Sequence, residues 1–367
     1  MRCLLLLKVL MIMTTPFSQY GIGTVVKNYS ILLKKEVHFD YLICRGIDKR
    51  NEKFVKDING NVWRLLADRE RQPLSYVKEL IGFLKKHRYD VIHIHGNSGT
   101  MALDALAARL SGSNRIIAHC HSNYTDYPFL HKVMRPLLNI CMSKGLACSD
   151  EAGKWCFYKY EVLNNAIDSK RFAFSMETRE LMRKKYKIKA DDFVLLSIGH
   201  LDKGKNHSYI ISMLPKLIKT GTPVKLFIVG DGVLKGNLIN LINDLGVEKN
   251  VVLPGSTQYV ENYYSMADFF LFPSLFEGLG LVLIEAQASG LNCIASKNVP
   301  QLGNICNGVK YLDLKDEINW IKTIKNEIES YDIENRSKKS ITNCEIIHSK
   351  GYDLEKITEL LFRIYNQ

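Results

Sequence analysis

Apolar residues fall along this chain in short runs separated by longer amphipathic stretches. The runs at 9–13, 39–44, 91–95 and 115–118 are continuous enough to read as strands buried on both faces. Between them, 22–33, 74–86, 101–111 and 131–143 carry apolar residues at helical spacing. That alternation predicts a parallel, doubly wound α/β sheet. Residues 146–149 read as one more buried strand, followed by a helix from Asp150.

The rhythm then breaks. Asn164-Asn165-Ala166-Ile167-Asp168 is rich in turn formers, and 169–190 is charged and poorly periodic. We read 1–168 as a first domain, 169–190 as a linker and 191–350 as a second domain. The second βα series starts at 193–199 and runs through 225–229, 251–253, 268–272 and 292–295. The tail, 351–367, reads as a closing helix, with a helical apolar pattern over 354–365.

Length agrees with two domains, since 367 residues exceed one ordinary core. Net charge is +12 and uneven. Residues 1–170 hold 25 Lys/Arg against 15 Asp/Glu, and the remainder holds 25 against 23. A basic first half suits an anionic partner such as an acidic membrane or a phosphorylated acceptor. No dense Lys/Arg run with interleaved aromatics is present, which argues against nucleic acid. Lysines and arginines do accompany apolar residues over 124–138, where Lys132 and Arg135 sit among Phe129, Val133 and Leu137. That mix suits either an interfacial helix on an anionic membrane or an ordinary packed helix.

Nine cysteines, Cys3 among them, are scattered without a C-x2-C pair. Reduced, buried thiols fit that pattern better than a disulfide framework or a zinc site. The N-terminal apolar run is interrupted by Lys8 and lacks a small-residue cleavage site, so a buried first strand is expected rather than a signal peptide. No run reaches the ~18–20 apolar residues of a spanning helix. The expected location is the cytoplasm, with peripheral attachment at the inner membrane face left open.

The chemistry concentrates in 268–290. An apolar run ending at Pro273 reads as a strand, and Glu277-Gly278-Leu279-Gly280-Leu281-Val282 leads into a helix bearing Glu285. Glu277 then stands at the carboxyl end of a parallel strand, where open α/β sheets bind ligands. The glycines permit close backbone approach, and the helix N-terminus favours a phosphate. Glu285, about one turn into the helix, can accept hydrogen bonds from a polyol such as ribose.

The string Glu-Gly-Leu-Gly-Leu-Val-Leu-Ile-Glu-Ala resembles the E-x7-E signature of retaining glycosyltransferase family 4, in particular its bacterial capsular and exopolysaccharide branch. The resemblance implies the GT-B architecture, two doubly wound Rossmann-like domains facing across a cleft, with the closing helix crossing back to the first, acceptor-side domain. It implies sugar transfer from a nucleotide diphosphate sugar, which serves as co-substrate with no further cofactor, to a growing, lipid-linked glycan. Gly199-His200-Leu201-Asp202-Lys203-Gly204-Lys205 matches the family's Gly-Arg-Leu segment, with Lys205 at the position that contacts the donor diphosphate. His200 replaces the usual Arg, so Lys203 or Lys205 supplies the charge. Gly21 and Gly23, after Tyr20, match a glycine loop that closes on the donor. His121, with His119 second, matches the histidine that touches the donor sugar. Glu277 is assigned to the sugar hydroxyls, and Gly278 through Val282 with Glu285 to the donor. Gly230-Asp231-Gly232 and Pro254-Gly255-Ser256 are expected to form walls near the nucleotide base.

The pairs His93/His95 and His119/His121 each point to one face of a strand and offer metal-ligand spacing. No carboxylate motif accompanies them and D-x-D is absent, so no metal is expected in the chemistry. Rival readings are a GT-B epimerase or phosphorylase, and a non-catalytic sugar-nucleotide-binding subunit of a polysaccharide assembly complex. Turnover on a donor panel separates these.

Overall fold

In the computed structural model, which describes residues 6–18, 21–221 and 223–367, the chain forms two units: 1–166 with 354–367, and 167–353. Tyr20 and Cys3 lie outside the described residues.

The first unit begins with β1 (Leu7–Met13), whose residues Val9 to Met13 have no exposed surface. It continues through α1 (Ile22–Leu33), β2 (Val37–Ile43), α2 (Lys49–Asp57), β3 (Val62–Trp63), α3 (Pro73–His87) and β4 (Val91–Gly96). Then come α4 (Ala102–Leu110), β5 (Ile116–Cys120), α5 (Pro128–Cys141), β6 (Lys144–Ala147), α6 (Asp150–Cys156) and β7 (Glu161–Val162). The strands pair in parallel in the order β3-β2-β1-β4-β5-β6-β7. Strand order reverses between β1 and β4.

In the second unit, α7 (Ser169–Phe172) and α8 (Met176–Lys185) precede β8 (Phe193–Ile198), α9 (His207–Ile218), β9 (Val224–Val229), α10 (Lys235–Asp244) and β10 (Val251–Gly255). There follow α11 (Glu261–Met266), β11 (Phe269–Phe272), α12 (Leu281–Ala288), β12 (Asn292–Ser296), β13 (Val309–Leu312), α13 (Glu317–Glu329) and α14 (Ile333–Ser349). The parallel order is β10-β9-β8-β11-β12-β13, the 3-2-1-4-5-6 order of dinucleotide-binding sheets.

The stretch 169–190 is not the irregular linker expected of it. It is largely helical and packs within the second unit. Periodicity was hidden because arginine shares its inward positions with Phe172 and Met182: Arg179 is buried and pairs with Asp268 at 2.5 Å while donating to the carbonyls of Met266 and Ala267. One turn on, Arg183 reaches the other oxygen of Asp268 at 3.2 Å.

The last helix, α15 (Leu354–Asn366), groups with the first unit. Leu354, Ile357, Leu361, Ile364 and Tyr365 recur at helical spacing and fill a core with Val9, Met11, Val25 and Tyr29. Among the described residues no helix is long and apolar enough to cross a membrane, and the eight described cysteines are unpaired.

Candidate active site

Strands β8 and β11 are neighbours, with Leu195 opposite Phe269, and between them the order of the second sheet reverses. A crevice opens at the carboxyl ends of such a strand pair. The loops leaving the two strands are stitched together. The Leu275 N–H donates to the Gly204 carbonyl at 2.7 Å, and the Asn206 side-chain amide donates to the Pro273 carbonyl at 3.2 Å. Asp202 accepts from the Lys205 N–H at 3.0 Å and fixes the first loop from inside.

This stitching sets Lys205 beside Glu277. The ammonium donates to Glu277 Oε1, the Ser274 hydroxyl donates to the same oxygen at 3.0 Å, and the Lys205 Nζ stands 5.6 Å from the centre of the Phe272 ring. Each charge is neutralised by the other, a pairing across 72 positions that the sequence did not suggest. Lys203 is exposed in the same loop, and His200 lies 3.4 Å from Asp202 with both partly exposed.

Gly280 caps α12 with φ +73°, a left-handed conformation that favours glycine, and a Cβ there would stand 3.0 Å from the Phe272 ring. The N–H groups in the first turn of a helix have no partner within it. Those of Leu281 and Val282 therefore make a donor pair at the crevice, next to Gly278 and Leu279. Glu285 follows one turn later, where the Tyr264 hydroxyl donates to its Oε2 at 2.8 Å and to the Val282 carbonyl at 3.0 Å. Burial lifts the Glu285 carboxyl from its ordinary 4.5 to about 7, against the pull of the Tyr264 hydrogen bond and of the Arg171 charge, with Glu261 adding to the rise. Arg171 in turn pairs with Glu261 at 2.7 Å. Tyr264, Ser274 and Arg171 belong to no motif, and sequence reading missed all three. The Gly230 N–H donates to the Gly255 carbonyl at 3.1 Å, so the loops at 230–232 and 254–256 adjoin.

Gly21, Gly23 and His121 belong to the first unit. Gly21 caps α1, and a side chain at 23 would run into the Ser18 carbonyl at 1.9 Å. His121 follows β5, half-buried, with its Nε2 3.0 Å from His95 Nδ1. His119 has no exposed surface, which removes it as the alternative contact for a sugar. The stretch 124–138 also divides. Arg135 turns inward, donating to the carbonyls of Lys154 and Phe157, while Phe129, Lys132 and Val133 face outward.

Both sheets are parallel, Rossmann-like and reverse their strand order beside the first strand. Two Rossmann-like sheets in one chain define the GT-B class of fold. Residues 178–338 match the model of glycosyl transferases group 1, and residues 20–152 match that of glycosyltransferase family 4. The chain belongs to glycosyltransferase family 4. It is 27% identical to EpsF of Bacillus subtilis (strain 168), over 94% of this chain and 93% of that one. An uncharacterized glycosyltransferase of Haemophilus influenzae (strain ATCC 51907 / DSM 11121 / KW20 / Rd) is 31% identical over 78% of each chain. The UDP-Gal:alpha-D-GlcNAc-diphosphoundecaprenol alpha-1,3-galactosyltransferase of Escherichia coli is 29% identical, over 69% of this chain and 67% of its own. Anabaena HepE, solved in complex with UDP, has the same fold, with a TM-score of 0.77 and 16% identity over 97% of this chain and 99% of that one.

Proposed function

We propose that this glycosyltransferase is a retaining enzyme that moves a sugar from a nucleotide diphosphate sugar to a lipid-linked surface glycan, a capsular or exopolysaccharide repeat unit. The observation that carries the reading is the Lys205–Glu277 pair set beside the N-terminus of α12 at the switch point of the second sheet. The Escherichia coli relative is named for a diphosphoundecaprenol acceptor, and the HepE structure holds UDP, which supports both halves of the substrate assignment.

In this reading the donor diphosphate takes its place against the Leu281 and Val282 N–H groups and competes with Glu277 for Lys205. The ammonium then offsets the charge that grows on the leaving diphosphate, while Glu277, released from the pair, accepts from the sugar hydroxyls. Glu285 accepts from the ribose hydroxyls in its ionised form. Gly21, Gly23 and His121 keep the donor-contact roles that the family resemblance gives them. The acceptor hydroxyl attacks the anomeric carbon on the face the diphosphate leaves, the C–O bond to the diphosphate breaks, and a phosphate oxygen takes the acceptor's proton. The two carboxylates are not an acid and nucleophile pair of the glycosidase kind.

The acceptor side is the first unit. At the carboxyl ends of β1 and β4 it has a cavity of about 640 Å³ lined by Thr14, Ser98, Tyr124, Tyr127, Leu130 and Met134. Beside it Phe129, Lys132, Val133 and Ile140 are exposed on α5, a face that suits an anionic membrane holding a lipid-linked acceptor. Binding to vesicles should rise with anionic lipid and fall with salt; equal binding to neutral and anionic vesicles would remove this face.

The test is turnover of a radiolabelled donor panel with and without a lipid-linked acceptor. Transfer to the acceptor from one donor is expected. Tight donor binding with neither transfer nor hydrolysis across the panel would make the chain a binding subunit. Lysine and backbone amides do the charge work, so activity is expected to survive EDTA. Loss restored by Mn²⁺ or Mg²⁺ would put a metal at the diphosphate.

A further inference from the structure

His93 and His95 on β4 and His119 on β5 project from one face of adjacent parallel strands, His95 in register with His119. All three have no exposed surface. The rings stand 4.0, 5.4 and 5.5 Å apart between centres, and one ring nitrogen from each lies within 4.8 Å of the other two. Three of their six imidazole nitrogens are already accounted for. His93 Nδ1 lies 2.7 Å from the Tyr365 hydroxyl of α15, His95 Nδ1 lies 3.0 Å from His121 Nε2, and His95 Nε2 lies 3.4 Å from the Met11 sulfur. Neither nitrogen of His119 has a hydrogen-bond partner, nor has His93 Nε2. A polar atom orphaned in a core is destabilising, so three at one spot, on converging rings, call for an occupant.

We propose that His93, His95 and His119 bind a late first-row transition-metal cation, zinc or copper(I), with the Met11 thioether in reach as a fourth ligand. Three imidazoles and a thioether, with neither carboxylate nor thiolate, form a borderline-to-soft donor set that discriminates against Mg²⁺, Ca²⁺ and Mn²⁺. Burial and mutual repulsion hold all three rings well below their usual pKa, which keeps them in the neutral form that ligates. The hydrogen bonds to Tyr365 and His121 are the outer partners that orient ligating histidines. Metal on His95 Nε2 places the ring's proton on Nδ1, pointed at His121 Nε2. The ion thus pins β4, β5 and α15 together and sets the tautomer of His121, the latter mattering only if His121 meets the donor as proposed above.

The test uses the untagged full chain, grown with zinc or copper in the medium and gel-filtered into chelator-free buffer. Elemental analysis should find about one equivalent of zinc or copper per chain. His119→Phe and His93→Phe should each lower it about tenfold or more, while His348→Ala, at an exposed histidine, should not. Because the core variants risk misfolding, the wild-type chain is also stripped of metal and titrated with Zn²⁺, Cu⁺ and Mn²⁺ during thermal unfolding. Zn²⁺ or Cu⁺ should raise Tm by several degrees and Mn²⁺ should not. A wild-type chain without bound zinc or copper and without a Tm shift would mean that the rings enclose only water. Full metal content in a folded His119→Phe chain would place the ion elsewhere. Either result overturns the site without bearing on transfer activity.

Discussion

The two sheets are built on one plan and used for different things. Each is parallel, and each reverses its strand order beside its first strand, between β1 and β4 in the first unit and between β8 and β11 in the second. At that point the second unit displays charge in its loops: Lys205 against Glu277, and Glu285 one turn into α12. The first unit buries neutral histidines on β4 and β5, and its neighbouring cavity mixes aromatic, aliphatic and hydroxyl side chains with Asp126 and with two arginines already paired, Arg45 to Glu70 and Arg69 to Asp104. Topology fixes where a ligand can bind, and the residues that follow the strands decide what it is.

The comparison breaks most sharply at Lys205. If the second unit does the charge work, Lys205→Ala should lower kcat by ~10²–10³, the range for losing one transition-state electrostatic contact. Single-turnover kinetics would measure it, and near-normal turnover would move the role to Lys203. A stability counterpart lies at Arg179. Its removal leaves the buried Asp268 carboxylate with only Arg183 and the Val194 N–H, both on Oδ2, and Arg179→Ala should destabilise the second unit by about 3–5 kcal/mol. Urea unfolding followed by a probe in that unit reads this, and a loss below 1 kcal/mol, about the value of an exposed pair, would deny the arginines their anchoring role.

Acid should separate the units next. Histidines held neutral by burial contribute stability above their unfolded pKa of 6.5 that is lost as pH falls below it; His121, drawn down to about 3, is one of four. Glu285 has the opposite sign. Its raised pKa favours the folded state below 4.5, and that contribution disappears as pH rises through about 7. Calorimetry between pH 4.5 and 8 should show the first unit weakening toward acid, and Glu285→Gln should flatten its own opposing slope in the second. The smallest effect is on binding. Glu285→Ala should raise donor KM more than it lowers kcat, and wild-type KM should fall as pH rises through 7 and the carboxylate ionises. An unchanged KM would take Glu285 out of the donor site.

Much of this was legible in the chain. Both βα series, the switch-point loop and the helix under Glu285 follow from apolar periodicity and the glycines of 277–285. Three kinds of feature were not. The helices within 169–190 bury one apolar residue each, Phe172 and Met182, and otherwise turn arginines inward, so the hydrophobic pattern is too sparse to find them. The edge strands β3 and β7 are two residues long, too short for any period. The partners of the site residues lie far off in sequence: Lys205 from Glu277, Tyr264 from Glu285, and Tyr365 from His93. Only the fold sets those pairs side by side. Spacing did bring His93, His95, His119 and His121 to one face, but the complete burial of the first three rests on α1 and α15.

The central claim, retaining transfer from the second unit's charged switch point, is tested most directly by the stereochemistry of the product. The active donor of the panel is incubated with a lipid-linked acceptor, and the anomeric configuration of the new bond is read by proton NMR for the wild-type chain and for Lys205→Ala. The account expects the donor's configuration to be kept, at a rate that falls with loss of Lys205. Inversion at the anomeric carbon, or a rate indifferent to Lys205, would contradict it.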